Sequence, residues 1–392
     1  EKSYVSKRTG KTVIRYCAVV YDAQNKKYIW SKRCETQKEA RQCERILIEE
    51  LEHGTRKDKK ILFEELTNQW LAVAPSLYAN TTYRGYEWYA KTYILPVFGD
   101  VKANAITPMH IQNFVTAMSK QYSAETVNKS LNILSNIFQF GNNLEVVNSN
   151  PCEKIKRVRV SNRKHTTWDE NQIIYFLSIP NVKCSMYYDM FILSFSLGIR
   201  PSELCGISES DFVNNGILSL NRGYDRYGVL TDLKTESRHR PLELSDLLVK
   251  LLNRRIVRKK ELRLRLSFEE RKEDNDFLFT NTKGQPINPN NYSKAFKKLL
   301  RTHNRQLEEY QREHGTLPLN AQILPDIRLY DARHSFATNN ILSNSASIKV
   351  ISEILGHSTV KTTLHNYSHV TQSMNKKTIY DYSKKLLGKV SL

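Results

Sequence analysis

The sequence predicts an α+β chain of several domains, and three observations carry that expectation. Residues 12–34 are rich in β-branched and aromatic side chains around a polar turn, which reads as a small sheet. Residues 61–150 drop that pattern for apolar spacings of three and four, the mark of amphipathic helices. From about residue 167 helical patterns enclose a few short strands, a mainly helical domain with a small antiparallel sheet. At 392 residues the chain has room for two or three domains, each with its own core.

The elements follow in order. "TVIRYCAVVY" (12–21) and "KYIWSKRC" (27–34) are the first strands, joined by "DAQNK". Thr36 can cap a helix over "QKEARQCERILIEELEHG", ending at Gly54, and "TRKDKK" (55–60) reads as a solvated linker. Phe63, Leu66 and Trp70 share a face of the next helix, and Pro96 is expected to close a second, "TTYRGYEWYAKTYIL". Thr107-Pro108 opens a third with a cap and a first-turn proline; Ile111, Phe114, Val115 and Met118 form its stripe. Val127, Leu131, Leu134 and Phe138 give a fourth. Thr167 and Glu170 are expected to form a capping box ahead of "NQIIYFLS". Strands are expected near 217–221, 228–233 and 239–244, and charged, salt-bridged helices over 254–276 and 301–315.

Charge narrows the partners. Sixty Lys and Arg against 40 Asp and Glu leave a formal net charge of +20, which favours a polyanion because each neutralised phosphate releases counterions. The excess is uneven. Residues 1–60 hold 16 basic against nine acidic side chains, whereas 61–150 hold five against six. The break "CEKIKRVRVSNRKH" (152–165) holds six basic residues and one acid, and could lie along a phosphate backbone. The six cysteines form no C-x-x-C pair and read as reduced thiols of a cytosolic protein. No apolar run approaches the ~20 residues of a membrane span. Nor does the start read as a charged-then-apolar leader; without a methionine, it reads as trimmed.

Four short stretches carry candidate chemistry. "SLGIRPSELCGI" (196–207) puts Arg200 at a helix N-terminus with Glu203 one turn on; by itself this could be a pair holding a helix end. "LTDLKTESRHRPLEL" (230–244) reads as strand, polar turn and strand, with Lys234 at the rim of that hairpin. "RLYDARHSFATNN" (328–340) places Arg333 and His334 early in a helix. "LGHSTVKTTLHNYSHV" (355–370) gathers His357, His365 and His369 around Tyr367. A metal reading of these histidines is possible at i, i+4 spacing, but no H-E-x-x-H or cysteine supports it.

In this order the stretches resemble the tyrosine recombinase (phage integrase) family across essentially the whole chain, "GIRPSEL" and "LGHSTVKTTLHNY" most specifically. The resemblance implies a three-stranded β-sheet plus helix arm-type DNA-binding domain at 1–58 and a helical SAM-like core-binding domain at 61–152. A basic linker at 153–166 and a catalytic domain at 167–392 with a C-terminal helical tail, in the DNA breaking-rejoining fold, complete it. It also implies the last two domains clamping DNA, four protomers on two DNA sites, a Holliday junction, and help from an accessory DNA-bending protein or excisionase. The expected setting is the bacterial cytoplasm, nucleoid-associated and without a membrane partner.

Family chemistry assigns the side chains. Cutting a phosphodiester without metal or cofactor needs a nucleophile, charge stabilisation on the non-bridging oxygens and a proton for the leaving oxygen. The resemblance implies Tyr367 as nucleophile, forming a 3′-phosphotyrosine, and Arg200 and Arg333 as the phosphate clamp. Lys234 would protonate the departing 5′ oxygen, and His357 would donate to the scissile phosphate. One position departs: Tyr330 stands three before Arg333, where the family usually has His. A phenol donates a hydrogen bond but is no base near neutral pH, so Tyr330 is carried as an active-site residue of open role. Lys154, Lys156, Arg157, Arg159, Arg163 and Lys164 are the expected backbone-binding residues of the linker. The arm module favours integration and excision of a mobile element over chromosome-dimer resolution or DNA relaxation; the alternative from another class is a DNA-binding regulator that no longer cuts. Because no metal enters the scheme, strand cleavage is expected to persist in excess EDTA, measured on a duplex carrying the cognate site. A strict Mg²⁺ requirement would contradict it.

Overall fold

The computed structural model describes residues 2–5, 12–22, 27–31, 33–52, 61–160, 166–213, 216–232, 239–265, 276–364 and 367. They fall into two compact units, Glu1–Asn162 and Arg163–Leu392.

The first unit opens with β1 (Lys2–Val5), β2 (Thr12–Arg15), β3 (Val19–Asp22) and β4 (Lys27–Trp30). The middle run of the expected three-stranded sheet breaks at Cys17 and Ala18. Its first half pairs with β1 and its second with β4, giving two antiparallel ladders. A bridge from Tyr16 to Cys34 sits at the break. The following helix, α1 (Gln37–Glu52), starts where Thr36 Oγ1 accepts the Glu39 N–H at 3.2 Å, the bond a cap residue supplies. Leu47 of α1 meets Ala18 and Ile29 in a small core. Strand alternation sends Tyr21, Tyr28 and Trp30 to the opposite face, where each is more than half exposed.

A helical bundle follows: α2 (Phe63–Leu77), α3 (Asn80–Tyr89), α4 (Leu95–Phe98), α5 (Pro108–Ser119) and α6 (Ala124–Asn143). The stripes read from the sequence are buried, and Phe63, Trp70, Phe114, Leu134 and Phe138 share one core. Pro96 does not close the second helix. A π-turn over Ala90–Ile94 lets the Leu95 N–H reach the Ala90 carbonyl, and Pro96 then lies in the first turn of α4, where no donor is required. Beyond α6 the described part of the basic stretch, to residue 160, builds no helix or strand, yet it is anchored. Ile155 and Val158 pack on the bundle core. Asn128 grips the Val158 backbone, donating to its carbonyl at 2.8 Å and accepting its N–H at 2.9 Å.

The second unit begins with α7 (Glu170–Ser178), α8 (Pro180–Lys183), α9 (Tyr188–Leu197) and α10 (Pro201–Cys205). The cap of α7 is Asp169, paired with Gln172, rather than Thr167 with Glu170. Aspartate accepts the N3 amide at 2.8 Å while the glutamine returns the bond at 3.1 Å, so the better-placed box wins by two residues. The strands are β5 (Phe212–Val213), β6 (Ile217–Leu220), β7 (Arg222–Tyr224), β8 (Leu230–Asp232) and β9 (Arg240–Glu243).

Their register corrects the expected hairpin. β8 pairs with β7, Tyr224 facing Leu230 around the turn at 225–229, while β9 pairs with β6, Leu220 facing Arg240. Residues 230–232 and 240–243 therefore do not pair with each other, and Lys234, expected at the rim of their hairpin, lies outside the described residues. The helices α11 (Asp246–Arg265), α12 (Pro289–His314), α13 (Asp331–Leu342) and α14 (Ile348–Leu355) are the unit's remaining described helices.

Its core is aromatic. Trp168 is fully buried, stacks on Phe195 at 5.6 Å, and meets Phe176 and Phe296. Its indole N–H donates to the Pro325 carbonyl at 2.9 Å, and its backbone N–H donates to Ser335 Oγ of α13 at 2.9 Å. The backbone N–H thus fastens the start of the unit to the helix that carries Arg333, while the indole holds the Pro325 carbonyl. No helix among the described residues is long and apolar enough to cross a membrane. Trp168→Ala is expected to destabilise this unit by about 3–5 kcal/mol, read from urea midpoints. A loss below about 1 kcal/mol would mean that the aromatic core closes over the gap.

Candidate active site

The site is assembled around two short helix endings. α9 ends at Gly198 (φ 61°) and α14 at Gly356 (φ 63°), both left-handed, which explains the Leu-Gly pairs in "SLGIR" and "ILGH". A side chain at Gly198 would meet the Phe336 ring at 2.7 Å as well as strain the backbone. Each glycine also brings a backbone carbonyl to an arginine.

Three guanidiniums converge on three successive carbonyls at the end of α14. Arg240 donates to the Ile354 carbonyl, Arg333 to that of Leu355, and Arg200 to that of Gly356. The last carbonyls of a helix lack intrahelical partners and sit at the negative end of its dipole, so cations are favoured there. Arg333 also donates to the Gly198 carbonyl at 3.0 Å, tying the two endings together.

Among the described residues, one carboxylate balances the group. Glu203, 1% exposed in α10, takes Arg200 on Oε1 and Arg240 on Oε2, the latter at 3.1 Å. Burial alone would raise its carboxyl, but Arg240 and Arg200 together hold it below the usual carboxylate range. Among the described residues, three guanidiniums against one carboxylate leave a largely buried positive excess. Arg333 registers it: burial first, then the charge of Arg200, draws its guanidinium down to about 10. Such a pocket is built for an anion.

His357 follows Gly356 directly. Its Nδ1 lies 2.8 Å from the buried Thr363 hydroxyl. Burial, then Arg333 and Arg200, push the imidazole down to about 4, so it is neutral while no anion is bound. Tyr367 is 3% exposed; its ring packs with Ala337, Ile341, Ile351 and Leu355. Burial raises the phenol while Arg333 pulls it down. Its hydroxyl lies 2.8 Å from Nδ1 of His334. Tyr330 caps the start of α13, 41% exposed, its ring edge-on to His334 at 5.6 Å.

The structure thus brings together Arg200, Tyr330, Arg333, His357 and Tyr367. Lys234, Arg163, Lys164, His365, His369 and the tail at 371–392 lie outside the described residues, whereas Lys154, Lys156, Arg157 and Arg159 belong to the first unit. Of these, Arg157 donates to Asn132 at 2.9 Å. Two site residues escaped the sequence analysis. Arg240 looked like one more basic residue of "SRHRPLEL", and its only signal was strand alternation with Leu242 on the buried face. His334 was visible beside Arg333, but nothing local tied it to Tyr367, 33 residues on.

A model of the phage integrase family matches residues 167–374, and one of its N-terminal SAM-like domain matches residues 62–119. The chain belongs to the phage integrase family, the tyrosine recombinases. Enzymes of this family cut and rejoin DNA. The ICEBs1 integrase of Bacillus subtilis (strain 168) is 25% identical over 348 residues, covering 87% of this recombinase and 88% of that protein. The Tn1549 transposon integrase in complex with transposon right end DNA shares the fold with a TM-score of 0.61 at 19% identity, covering 81% and 99% of the two chains. A lambda integrase tetramer bound to a Holliday junction shares it with a TM-score of 0.53 at 15% identity, covering 91% and 95%.

The depressed His357 gives the recombinase an acid-sensitive stretch. Between the ordinary imidazole value of about 6.5 and the folded value of about 4, the unfolded chain binds a proton that the folded chain refuses. Stability is therefore complete above that window and falls as the pH drops through it. His357→Gln is expected to flatten this part of the urea-midpoint profile against pH; an unchanged slope would assign it to other groups.

Proposed function

We propose that this chain is the site-specific recombinase of a mobile genetic element, integrating and excising it through a 3′-phosphotyrosine. The observation that carries this reading is the buried positive excess of Arg200, Arg333 and Arg240 over Glu203, set in one cluster with a buried tyrosine hydroxyl. A phosphodiester gains negative charge as it is attacked, and preorganised guanidiniums stabilise that gain more than the ground state.

In this reading Arg200 and Arg333 hold the two non-bridging oxygens. With Nδ1 of His357 engaged by Thr363, Nε2 is the ring nitrogen for the phosphate, whose charge also favours the imidazolium. Tyr367 Oη attacks phosphorus, the bond to the 5′ oxygen breaks, and Lys234 supplies that oxygen's proton. Tyr330 adds a hydrogen bond to the phosphate. The phosphotyrosine keeps the energy of the broken bond, so a second 5′ hydroxyl reverses the step on a new partner strand. No metal or nucleotide takes part.

The domains take matching roles: 1–58 binds arm-type sites, 61–152 and 167–392 bind the core site, and 153–166 links them. In the linker Lys154, Lys156, Arg157, Arg159, Arg163 and Lys164 contact the DNA backbone. Alignment with the ICEBs1 integrase over nearly nine-tenths of both chains supports the mobile-element reading. The lambda integrase tetramer on a Holliday junction supports a tetramer working through that intermediate. An accessory bending protein or excisionase sets direction.

A nicked suicide duplex with the cognate core site is expected to trap a covalent complex through the DNA 3′ end, with the nucleotide on Tyr367 by peptide mass spectrometry. Tyr367→Phe abolishes the complex while leaving DNA binding nearly unchanged. Capture through the 5′ end, or cutting by Tyr367→Phe, would overturn the mechanism, the latter pointing to Tyr330.

A further inference from the structure

The attacking phenol must lose a proton, and burial makes that loss harder. Tyr330 cannot take it, because another phenol is no base at neutral pH. His357 is badly placed for the task as well: its Nδ1 is engaged by Thr363, and the arginine field opposes any charge on it.

One described imidazole reaches the phenol. His334 Nδ1 lies 2.8 Å from Tyr367 Oη, within the range for direct proton transfer, and the histidine is itself only 7% exposed. It stands next to Arg333 on α13, about 100° around the helix. Arg333 therefore turns to the Gly198 and Leu355 carbonyls while His334 turns to Tyr367. One rigid helix sets the distance between phosphate clamp and base. Tyr330, one turn earlier, packs edge-on against the imidazole and covers it on the side toward the helix start.

We propose that His334 is the general base of cleavage and the general acid of rejoining, the task that Tyr330 leaves vacant. This rests on the reading of Tyr367 as nucleophile. As the Tyr367 Oη–phosphorus bond forms, the phenolic proton passes to His334 Nδ1 and the imidazole becomes cationic. The phosphorus–O5′ bond breaks, and that oxygen takes its proton from Lys234. Rejoining reverses every transfer: the imidazolium returns its proton to Oη as tyrosine leaves. The new cation faces Tyr367 and His357 from the segment after α14, and Tyr330, Asp331 and Arg333 from its own helix. His357 feels that charge, since His334 is among the groups that push it down.

The rival account of the same contact is storage, a bond that parks the phenol away from DNA. Single-turnover cleavage of the suicide duplex by the full chain, followed from about pH 5 to pH 9, separates the two. His334→Ala is expected to cleave roughly 10²–10⁴-fold more slowly. It should also lose the rise in rate that imidazole titration gives between pH 5 and 8. Added imidazole, filling the vacated space, restores rate in proportion to its unprotonated form. His334→Gln, which can still accept a hydrogen bond from the phenol but cannot take its proton, stays slow. A 5′-bridging phosphorothiolate, whose sulfur leaves without a proton, rescues Lys234→Ala but not His334→Ala.

Cleavage by His334→Ala at or above the wild-type rate would establish storage and overturn the proposal. Full activity of His334→Gln, or a slow variant with an unaltered pH profile and no imidazole rescue, would reduce the residue to positioning. Mobility shifts on the core duplex check folding, and should the alanine variant fail them, the glutamine variant and its pH profile decide. Loss of the larger reading looks different: the wild-type adduct would be absent or carried by another side chain.

Discussion

The catalytic unit depends on how three guanidiniums can share a small buried space. Arg200, Arg240 and Arg333 repel one another, and Glu203 offsets only part of that repulsion. The remainder is met by backbone. The end of α14 presents three successive carbonyls, and each receives one arginine. Breaking the left-handed turn at Gly356 would turn those carbonyls away and cost each cation one of its acceptors. The positive excess that remains is the site's latent affinity for a phosphate.

This arrangement makes local sequence features interdependent. Arg200 lies at the start of α10, Arg240 in β9, Arg333 in α13, and the acceptors in α14 and at Gly198. The pieces are separated by tens of residues, yet each arginine has a protein partner before any DNA arrives. Preorganisation of this kind lowers the reorganisation needed when charge develops at phosphorus. Trp168 serves the same end from the far side of α13, holding Ser335 by a backbone hydrogen bond while filling the aromatic core.

Histidine chemistry is divided by environment. His357 is held neutral by its burial and then by the arginines it faces, ready to gain charge only when a phosphate answers it. His334 faces the phenol one residue beyond Arg333. Two imidazoles in one site thus meet different fields, which is how two chemically identical groups come to different tasks. Tyr330 fits this division. In the place where the family usually carries a third imidazole, an aromatic ring lies against His334 and adds no further cation beside Arg333.

The sequence by itself determined that small strands precede a helical bundle and then a mainly helical unit, the helical stripes of the bundle and the presence of Arg200, Arg333, His357 and Tyr367 in motifs. These are local facts: periodicity, capping residues and short spacings survive in one dimension. It misjudged what depends on competing partners. Pro96 did not end its helix because a π-turn removed the need for its N–H, and the cap of α7 moved to Asp169 because that residue had the better acceptor geometry. The strands at 230–232 and 240–243 kept their places but changed their partners, since register is chosen by the sheet and not by the strand. Only the tertiary structure could show Arg240 on Glu203 or His334 on Tyr367, because hydrogen bonds across 37 and 33 residues leave no pattern in either neighbourhood. A motif names the groups, and the packing of helices decides which of them touch.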